Sequence, residues 1–376
     1  MYRTMTLIDV LTTRQAEGWM SALEKCALYD FYHLPAYHAL AEEQGEGVAH
    51  LFLYREGDYQ IALPLLLRDL DGLWSVPSPT PGLRDATSVY GYAGPVCSHP
   101  AVPEEVVRHF QTALRGWLRD LRVVNVFSRL HPLLPQRNLL AGLGDFVVSE
   151  TVSIDLTFSP AAQRSRIRRS YREDINRLRR KGVTCVEDVE GSYLEETCRI
   201  YHETMRRVGA AEQYFFPLSY FERLREQLGA RLRVFVCLWE GKAVCAGLFV
   251  ACNGILQYHL GATIDDALHL SPMKLLMDEV RLWATGQGLR ILHLGGGITS
   301  SPDDPLLYFK RGFSDRTHEF AAWRWIVISE AHQRLCEEKA RWNEQQDLQP
   351  TVAHYFPAYR CPCVPQRVSA AARRYT

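Results

Sequence analysis

The run at residues 231–262 reads RLRVFVCLWEGKAVCAGLFVACNGILQYHLGA, and its punctuation decides the fold. Residues 231–239 alternate apolar and polar side chains, the period of a half-buried strand. Glu240-Gly241 marks a turn, residues 243–252 form a second β-rich run, and Asn253-Gly254 is the strongest short hairpin signal. Residues 255–262 follow as a third strand, so the segment predicts a three-stranded antiparallel meander.

Downstream, Ser271-Pro272 offers an N-cap followed by proline at the first helical position. Met273, Leu276, Met277, Val280, Trp283 and Ala284 then share one helical face, and Gly286 and Gly288 end the helix. A short strand at 290–294, a short helix at 305–311 and a strand at 319–328 complete the region. Upstream, helical patterns cover 193–208 and 218–228. The order α-α-β-β-β-α-β-α-β predicts an α/β (α+β) fold, a mixed sheet flanked by helices.

The first half repeats this order. Helices are expected at 13–28 and 36–43, and a hairpin at 49–55 and 59–67 turns on Glu56-Gly57-Asp58. A helix at 104–121 and a strand at 123–127 follow. The hairpins share a motif, LYREGD at 53–58 beside LWEGK at 238–242. A duplicated domain explains both observations. The join is expected near 144–153, dividing an N-terminal domain at 1–150 from a C-terminal domain at 151–376.

The chain has 376 residues, and its 43 Lys and Arg balance 43 Asp and Glu. With 47% hydrophobic residues it can bury a sizeable core, which excludes a disordered chain, a polycation and an acidic tail protein. Ten cysteines are too sparse for a disulfide scaffold, and Cys361-Pro362-Cys363 lacks the spacing and second ligand pair of a zinc site. Reduced thiols and a cytoplasmic location are expected. Residues 1–10 show no basic-then-apolar leader, and no apolar run approaches the length that spans a membrane.

One segment breaks the charge balance. Residues 163–181 carry nine cations against Glu173 and Asp174, a local charge of +7. Ile167, Tyr171, Ile175 and Leu178 recur every three or four residues, so an amphipathic helix with basic flanks is expected. Such a charge repels itself unless an anion or acidic neighbours compensate. Phosphate is the expected anion, carried by nucleic acid, a nucleotide-linked substrate, a coenzyme or an anionic lipid surface.

Leu294-Gly295-Gly296-Gly297 follows a strand but does not open a helix, because Pro302 and Pro305 interrupt. It therefore reads as a backbone turn rather than a dinucleotide loop. Phosphate-loop, nucleophile-elbow and metalloprotease motifs are missing. Three aromatic clusters remain: Tyr214-Phe215-Phe216, Tyr258-His259 and Tyr308-Phe309-Lys310-Arg311-Gly312-Phe313. Phe215, Phe309 and Phe313 are assigned to the core. Flanking rings could desolvate the Lys310 ammonium and place it beside a developing anion.

The element order resembles that of the GNAT acyltransferase superfamily. Particular strings resemble its Fem-type (FemAB-like) branch and the related BioF2-like acetyltransferase domain. They are Tyr90-Gly91-Tyr92-Ala93-Gly94-Pro95, Arg129-Leu130-His131-Pro132, Tyr214-Phe215-Phe216, Tyr258-His259-Leu260-Gly261-Ala262, Ser271-Pro272-Met273-Lys274-Leu275-Leu276, Leu294-Gly295-Gly296-Gly297 and Phe309-Lys310-Arg311-Gly312-Phe313. The resemblance implies two tandem GNAT-like domains, each with a mixed, largely antiparallel sheet flanked by helices. It also implies transfer of an aminoacyl or acyl group to a primary amine of a cell-envelope precursor or small metabolite. No metal and no permanently bound cofactor are implied; aminoacyl-tRNA or acyl-CoA serves as co-substrate.

Within that resemblance Lys310 lies near the reacting carbonyl, and Tyr258 or His259 relays the proton. Arg168, Arg169 and Arg172 of the basic helix, with Tyr214, Phe216, Ser271 and Tyr308, contact donor or substrate. Arg129 and the 90–95 loop serve the acceptor side. Two departures stand out: the long coiled-coil arm of several Fem-type proteins is missing, and Asp265 and Asp266 occupy the place of the usual coenzyme loop. Carboxylates without glycines cradle pyrophosphate poorly, which favours aminoacyl-tRNA. The alternatives are an acyl-CoA-dependent N-acetyltransferase and a non-catalytic protein docking RNA or an anionic membrane peripherally. A third is that the arginines pair with acidic residues of the other domain and bind nothing.

Overall fold

The computed structural model describes residues 6–75, 81–134, 137–299, 301 and 303–364. Residues 1–5, part of the stretch read as leaderless, and Pro302, read as interrupting a glycine-loop helix, lie outside the described residues. The chain divides into two compact units, Met1–Val148 with Phe320–Thr376, and Ser149–Glu319.

The first unit opens with β1 (Thr6–Thr12), α1 (Ala16–Glu24), α2 (Pro35–Glu43), β2 (Val48–Glu56) and β3 (Tyr59–Asp69). It continues with β4 (Arg84–Thr87), β5 (Val96–Cys97), α3 (Glu104–Asp120), β6 (Val123–Arg129) and α4 (Arg137–Leu140). Then come β7 (Asp145–Asp155), α5 (Pro160–Arg166), α6 (Arg169–Arg180), β8 (Thr184–Glu187), α7 (Leu194–Arg207) and α8 (Leu218–Leu228). The meander is β9 (Leu232–Trp239), β10 (Lys242–Cys252) and β11 (Ile255–Thr263), followed by α9 (Met273–Gly286), β12 (Ile291–Gly296) and α10 (Pro305–Lys310). The chain ends in β13 (Thr317–Ile326) and α11 (Ser329–Gln345).

In the first unit the strand order is β1-β2-β3-β4-β6-β13, with β5 on β3; among the described residues the β4/β6 strand pair is the parallel one. In the second it is β7-β12-β11-β10-β9-β8, with β11/β12 the parallel pair. The order α-α-β-β-β-α-β-α-β occurs twice, from α1 to β7 with β5 as a two-residue addition, and from α7 to β13.

The domain boundary differs from expectation. The last strand of each repeat joins the other repeat's sheet: β7 pairs with β12, and β13 pairs with β6. Position 150 falls inside β7, and residues 320–376, expected in the C-terminal domain, belong to the first unit. Sheet membership follows the edge on which backbone groups find partners, not chain order.

The basic segment is also not one helix. α5 ends at Arg166, Ile167 and Arg168 adopt extended conformations, and α6 begins at Arg169. Ile167, Tyr171, Ile175 and Leu178 are buried in one core with α9 and the sheet, as their spacing predicts. Full burial of an Ile or Leu side chain contributes about 1.5–3 kcal/mol, which offsets repulsion along the cationic face. α11 was not anticipated; it packs Ala331 and Leu335 around Tyr359 in the first unit.

Three buried histidines make stability depend on pH. Burial pushes His33 down to about 3, with the neighbouring His131 adding to the effect, and burial pushes His38 and His259 down to about 4. The unfolded chain takes up these protons near 6.5, so their contribution is complete above that pH and is lost as pH falls toward 4. Each histidine adds a slope of at most about 1.4 kcal/mol per pH unit. Urea midpoints should therefore drop between pH 6.5 and 4.5, and His38→Gln should flatten the dependence. An unchanged slope in that variant would remove His38 from the account.

Candidate active site

The site grows from a failure of pairing. β11 and β12 are registered in parallel only over Ile255–Gln257 and Ile291–His293. Both strands run on, to Thr263 and Gly296. A bulge with His259 as its extra residue follows in β11, and a register shift between His293 and Gly295 follows in β12. Paired irregularities bend and twist the two strands apart, opening backbone at the sheet's centre. Gly295 has φ 77°, a conformation glycine adopts without strain.

Lys310 enters this opening. It is 7% exposed, and its Nζ donates to the Gly296 carbonyl at 2.6 Å. Nζ also lies 5.8 Å from the Tyr258 ring centre. Burial pushes the Lys310 ammonium down to about 7, with Asp304 pulling the other way. The group can therefore exist as ammonium or amine near neutral pH, the property an acid–base or oxyanion-binding residue needs.

Asp304 builds the opening's rim. Its Oδ1 accepts from Leu306 and Leu307 N–H at the start of α10, and its Oδ2 accepts from Ile298 N–H, Thr299 N–H and the Thr299 hydroxyl, all at 2.9–3.0 Å. Burial would raise the carboxyl, but these donors hold it below the usual range. Gly297 is needed for this closure, since a Cβ there would sit 2.5 Å from the Asp304 carboxyl carbon. Asp304 was missed in the sequence, although Asp before Pro305 is an ordinary N-cap signal.

A second missed residue, Tyr171 of α6, fixes the basic segment to the lysine loop. Its ring lies where a Cβ on Gly312 would stand, 2.1 Å from the ideal position, and it packs edge-on against Phe313. Lys274 Nζ lies 4.2 Å from the same ring centre, and Arg168 N–H donates to Gly312 O at 2.8 Å. The Arg168 guanidinium stands 5.2 Å from Tyr171 and 4.1 Å from Tyr308.

The expected residues thus separate into groups. Lys310 and Tyr258 meet at the opening, whereas Arg168 packs on the ring of Tyr308, which is exposed. Tyr258 packs with the core beside Met273, its Oη 3.8 Å from the Met273 sulfur and close over Gly261. His259 belongs elsewhere: its Nε2 meets Tyr220 Oη at 3.3 Å, where Tyr220 stacks on Phe216. Phe216 is buried in this aromatic cluster, and the Tyr214 carbonyl accepts from Tyr201 Oη. Phe313 is core as expected, whereas Phe215 and Phe309 are only partly buried. Ser271 is not the N-cap expected of it. It has φ 55°, closes a 3-10 turn, and leaves Pro272 as N-cap of α9.

The arginines divide too. Arg169 pairs with Glu173 and is 85% exposed on its side chain. Arg164 and Arg179 reach fully buried Asp278, Arg179 also Glu279, and Arg177 pairs with Asp174. These acids lie in the same unit as the arginines, not in the other one. Among the described residues Arg168 and Arg172 have no carboxylate partner. Arg129 ends β6 in the first unit, where its backbone N–H donates to Ser88 Oγ. The 90–95 loop folds there beside His131, whose Nε2 lies 2.9 Å from buried Asp30.

Among the described residues no cluster of three His, Cys, Asp or Glu could hold a metal ion, and no helix is long and apolar enough to cross a membrane. Residues 165–311 match the family described as acetyltransferase (GNAT) domain. Its relatives narrow the class. The chain is 25% identical over 207 residues to the UDP-N-acetylmuramoylpentapeptide-lysine N(6)-alanyltransferase of Weissella viridescens, a match covering 54% of this chain and 57% of that protein. Less than two thirds of that relative's length is thus spanned. The crystal structure of FemX superposes with a TM-score of 0.64 at 13% identity, covering 87% of this chain and 99% of FemX. A conserved protein of unknown function from Bacteroides thetaiotaomicron gives 0.52 at 10% identity, covering 85% and 100%. The fold is that of FemX.

Proposed function

We propose that the protein is a Fem-type N-acyltransferase, moving an aminoacyl group from aminoacyl-tRNA to a primary amine of a cell-envelope precursor or small metabolite. Lys310 carries the reading: a buried lysine held by the Gly296 carbonyl where two strands part, poised near neutrality. The alanyltransferase relative supports the reaction class, since its name states transfer to a lysine N(6) amine. The amine attacks the ester carbonyl, a C–N bond forms, and the C–O bond to the ribose breaks. The proton lost by the amine ends on the leaving oxygen. Lys310 as ammonium stabilises the oxyanion and supplies the leaving oxygen's proton; as amine it takes the proton back from the nucleophile. The donor is a co-substrate, and the reading requires no resident cofactor.

The loop before α9 supports this donor over coenzyme A. Asp265 pairs with Arg207, and its own N–H donates to Glu203, leaving carboxylates where a pyrophosphate cradle would need amides. The acetyltransferase description of the matched family favours a second reading, acyl-CoA as donor. The full chain should transfer labelled amino acid from charged tRNA to a lysine-bearing cell-wall precursor peptide or a small diamine. Transfer from acyl-CoA alone would overturn the donor assignment.

A further inference from the structure

We propose that Cys363 and Lys339 form a modification site for hydrogen peroxide, in which the oxidised sulfur is captured by the lysine nitrogen as a sulfenamide. Both residues belong to the first unit, and the inference is independent of the acyltransferase reading.

The starting point is a buried lysine without an acid. Lys339 lies on α11 and is fully buried. Lysine almost never reaches full burial unless paired. Among the described residues Lys339 has no carboxylate partner, and its Nζ instead donates to Cys363 Sγ at 3.0 Å. Two indole rings flank the nitrogen, Trp342 at 4.8 Å and Trp74 at 5.6 Å to the ring centre. Such rings stabilise a cation and keep water from it. Trp74 holds its place at φ 61°, a left-handed conformation disfavoured for a bulky side chain, with Nε1 donating to Tyr359 O at 3.2 Å. A strained tryptophan kept over a buried lysine marks a built pocket.

The sulfur faces the other way. Cys363 is exposed, and its segment is fastened to α11 through neighbours. Gln349 N–H donates to Val364 O at 2.8 Å, and Asn343 Nδ2 donates to Gln349 O at 3.0 Å. The thiol is therefore open to a small oxidant, while the nitrogen behind it is not. That order of access dictates the order of steps. The Cys363 sulfur attacks one peroxide oxygen: an S–O bond forms, the O–O bond breaks, and the second oxygen leaves as water with the thiol proton. The Lys339 ammonium gives one proton to solvent, and its nitrogen attacks the sulfenic sulfur. An S–N bond forms, the S–O bond breaks, and the hydroxyl leaves as water with a second nitrogen proton. Sulfur is oxidised by two electrons and the peroxide is reduced to water.

Contact makes the second step intramolecular, which favours it over attack by another peroxide. The nearby thiols are engaged elsewhere. Cys361 is buried and its Sγ accepts from Val352 N–H at 3.4 Å, while Cys336 Sγ lies 3.6 Å from His332 Nε2. The nitrogen, not a second sulfur, is the resolving group.

The test treats the full chain with a small excess of hydrogen peroxide, then alkylates it with iodoacetamide and digests it with trypsin. Residues 335–341 should appear joined to 361–367, with Cys336 and Cys361 alkylated and the bond after Lys339 uncut. The joined pair should be about 2 Da lighter than its two alkylated parts and should separate in dithiothreitol. Cys363→Ser and Lys339→Met should each abolish it, Cys361→Ser should leave it unchanged, and unfolding in urea before oxidation should prevent it. A disulfide from Cys363 to Cys336 or Cys361 would overturn the proposal, as would a Cys363 that stays reduced. So would sulfinic acid at Cys363 with Lys339 still cut by trypsin. A joined pair about 14 Da heavier than its parts, with oxygen kept between nitrogen and sulfur, would overturn the assigned bond.

Discussion

Lys310→Met is expected to lower kcat by about 10²–10³ with the fold intact, the loss typical of removing one donor to a developing oxyanion. Methionine fills a similar volume, so the core around Tyr258 and Phe309 stays packed. The structural loss is one hydrogen bond to Gly296 O, about 1 kcal/mol by the usual net value. The pH profile distinguishes chemistry from packing. With Lys310 near 7, the ammonium population falls as pH rises through 7, so the parent rate should carry a falling limb there. The methionine variant should lose that limb along with most of its rate. Parent-like turnover in the variant would remove Lys310 from the mechanism. A parent profile without the limb would remove its role as an acid.

Asp278→Ala should destabilise the second unit by about 3–5 kcal/mol, the range for removing one partner of a buried ion pair. Asp278 is fully buried on α9 and serves three arginines. Its Oδ1 accepts from Arg281 at 2.5 and 3.2 Å, and its Oδ2 from Arg164 at 3.0 Å and Arg179 at 2.9 Å. Arg281 is itself buried, and without the carboxylate it keeps only Gln163 Oε1 at 2.9 Å and Pro160 O at 3.3 Å. The double variant Asp278→Leu with Arg281→Met should recover much of the loss, because the cost lies in the stranded charge rather than in a missing attraction. Denaturant midpoints of the singles and the double decide it. A single-variant loss under about 1 kcal/mol would mean that Asp278 does not organise the basic segment.

The meander was legible nearly residue for residue, because each boundary carries its own turn chemistry. Glu240-Gly241 and Asn253-Gly254 have positive φ at all four positions, as such turns require. Part of the repeated order was legible for the same local reason, though β4, α4 and β7 of the first repeat were not. Nor were β1, β8 and α11, since edge strands and a weakly amphipathic terminal helix depend on neighbours their own patterns do not reveal. The candidate site was half legible. Lys310 and the glycine run stood out through composition. Tyr171 did not, because a tyrosine on an apolar stripe is read as core, which it is; only its contact with Gly312 and Arg168 shows what it holds in place.

The sequence alone determined the local order α-α-β-β-β-α-β-α-β in the second half, six of its nine elements in the first, and a cationic segment with an apolar stripe. Hydrophobic period, turn residues and charge are properties of neighbours along the chain. The tertiary structure decided the rest: that β7 and β13 exchange sheets, that α5 and α6 break at Ile167, and that His259 and Lys310 belong to different surroundings. It also decided which arginines Asp278 consumes and which remain for an anion. Those outcomes depend on which backbone edge and which buried carboxylate come within about 3 Å, and no spacing along a strand or helix encodes that distance.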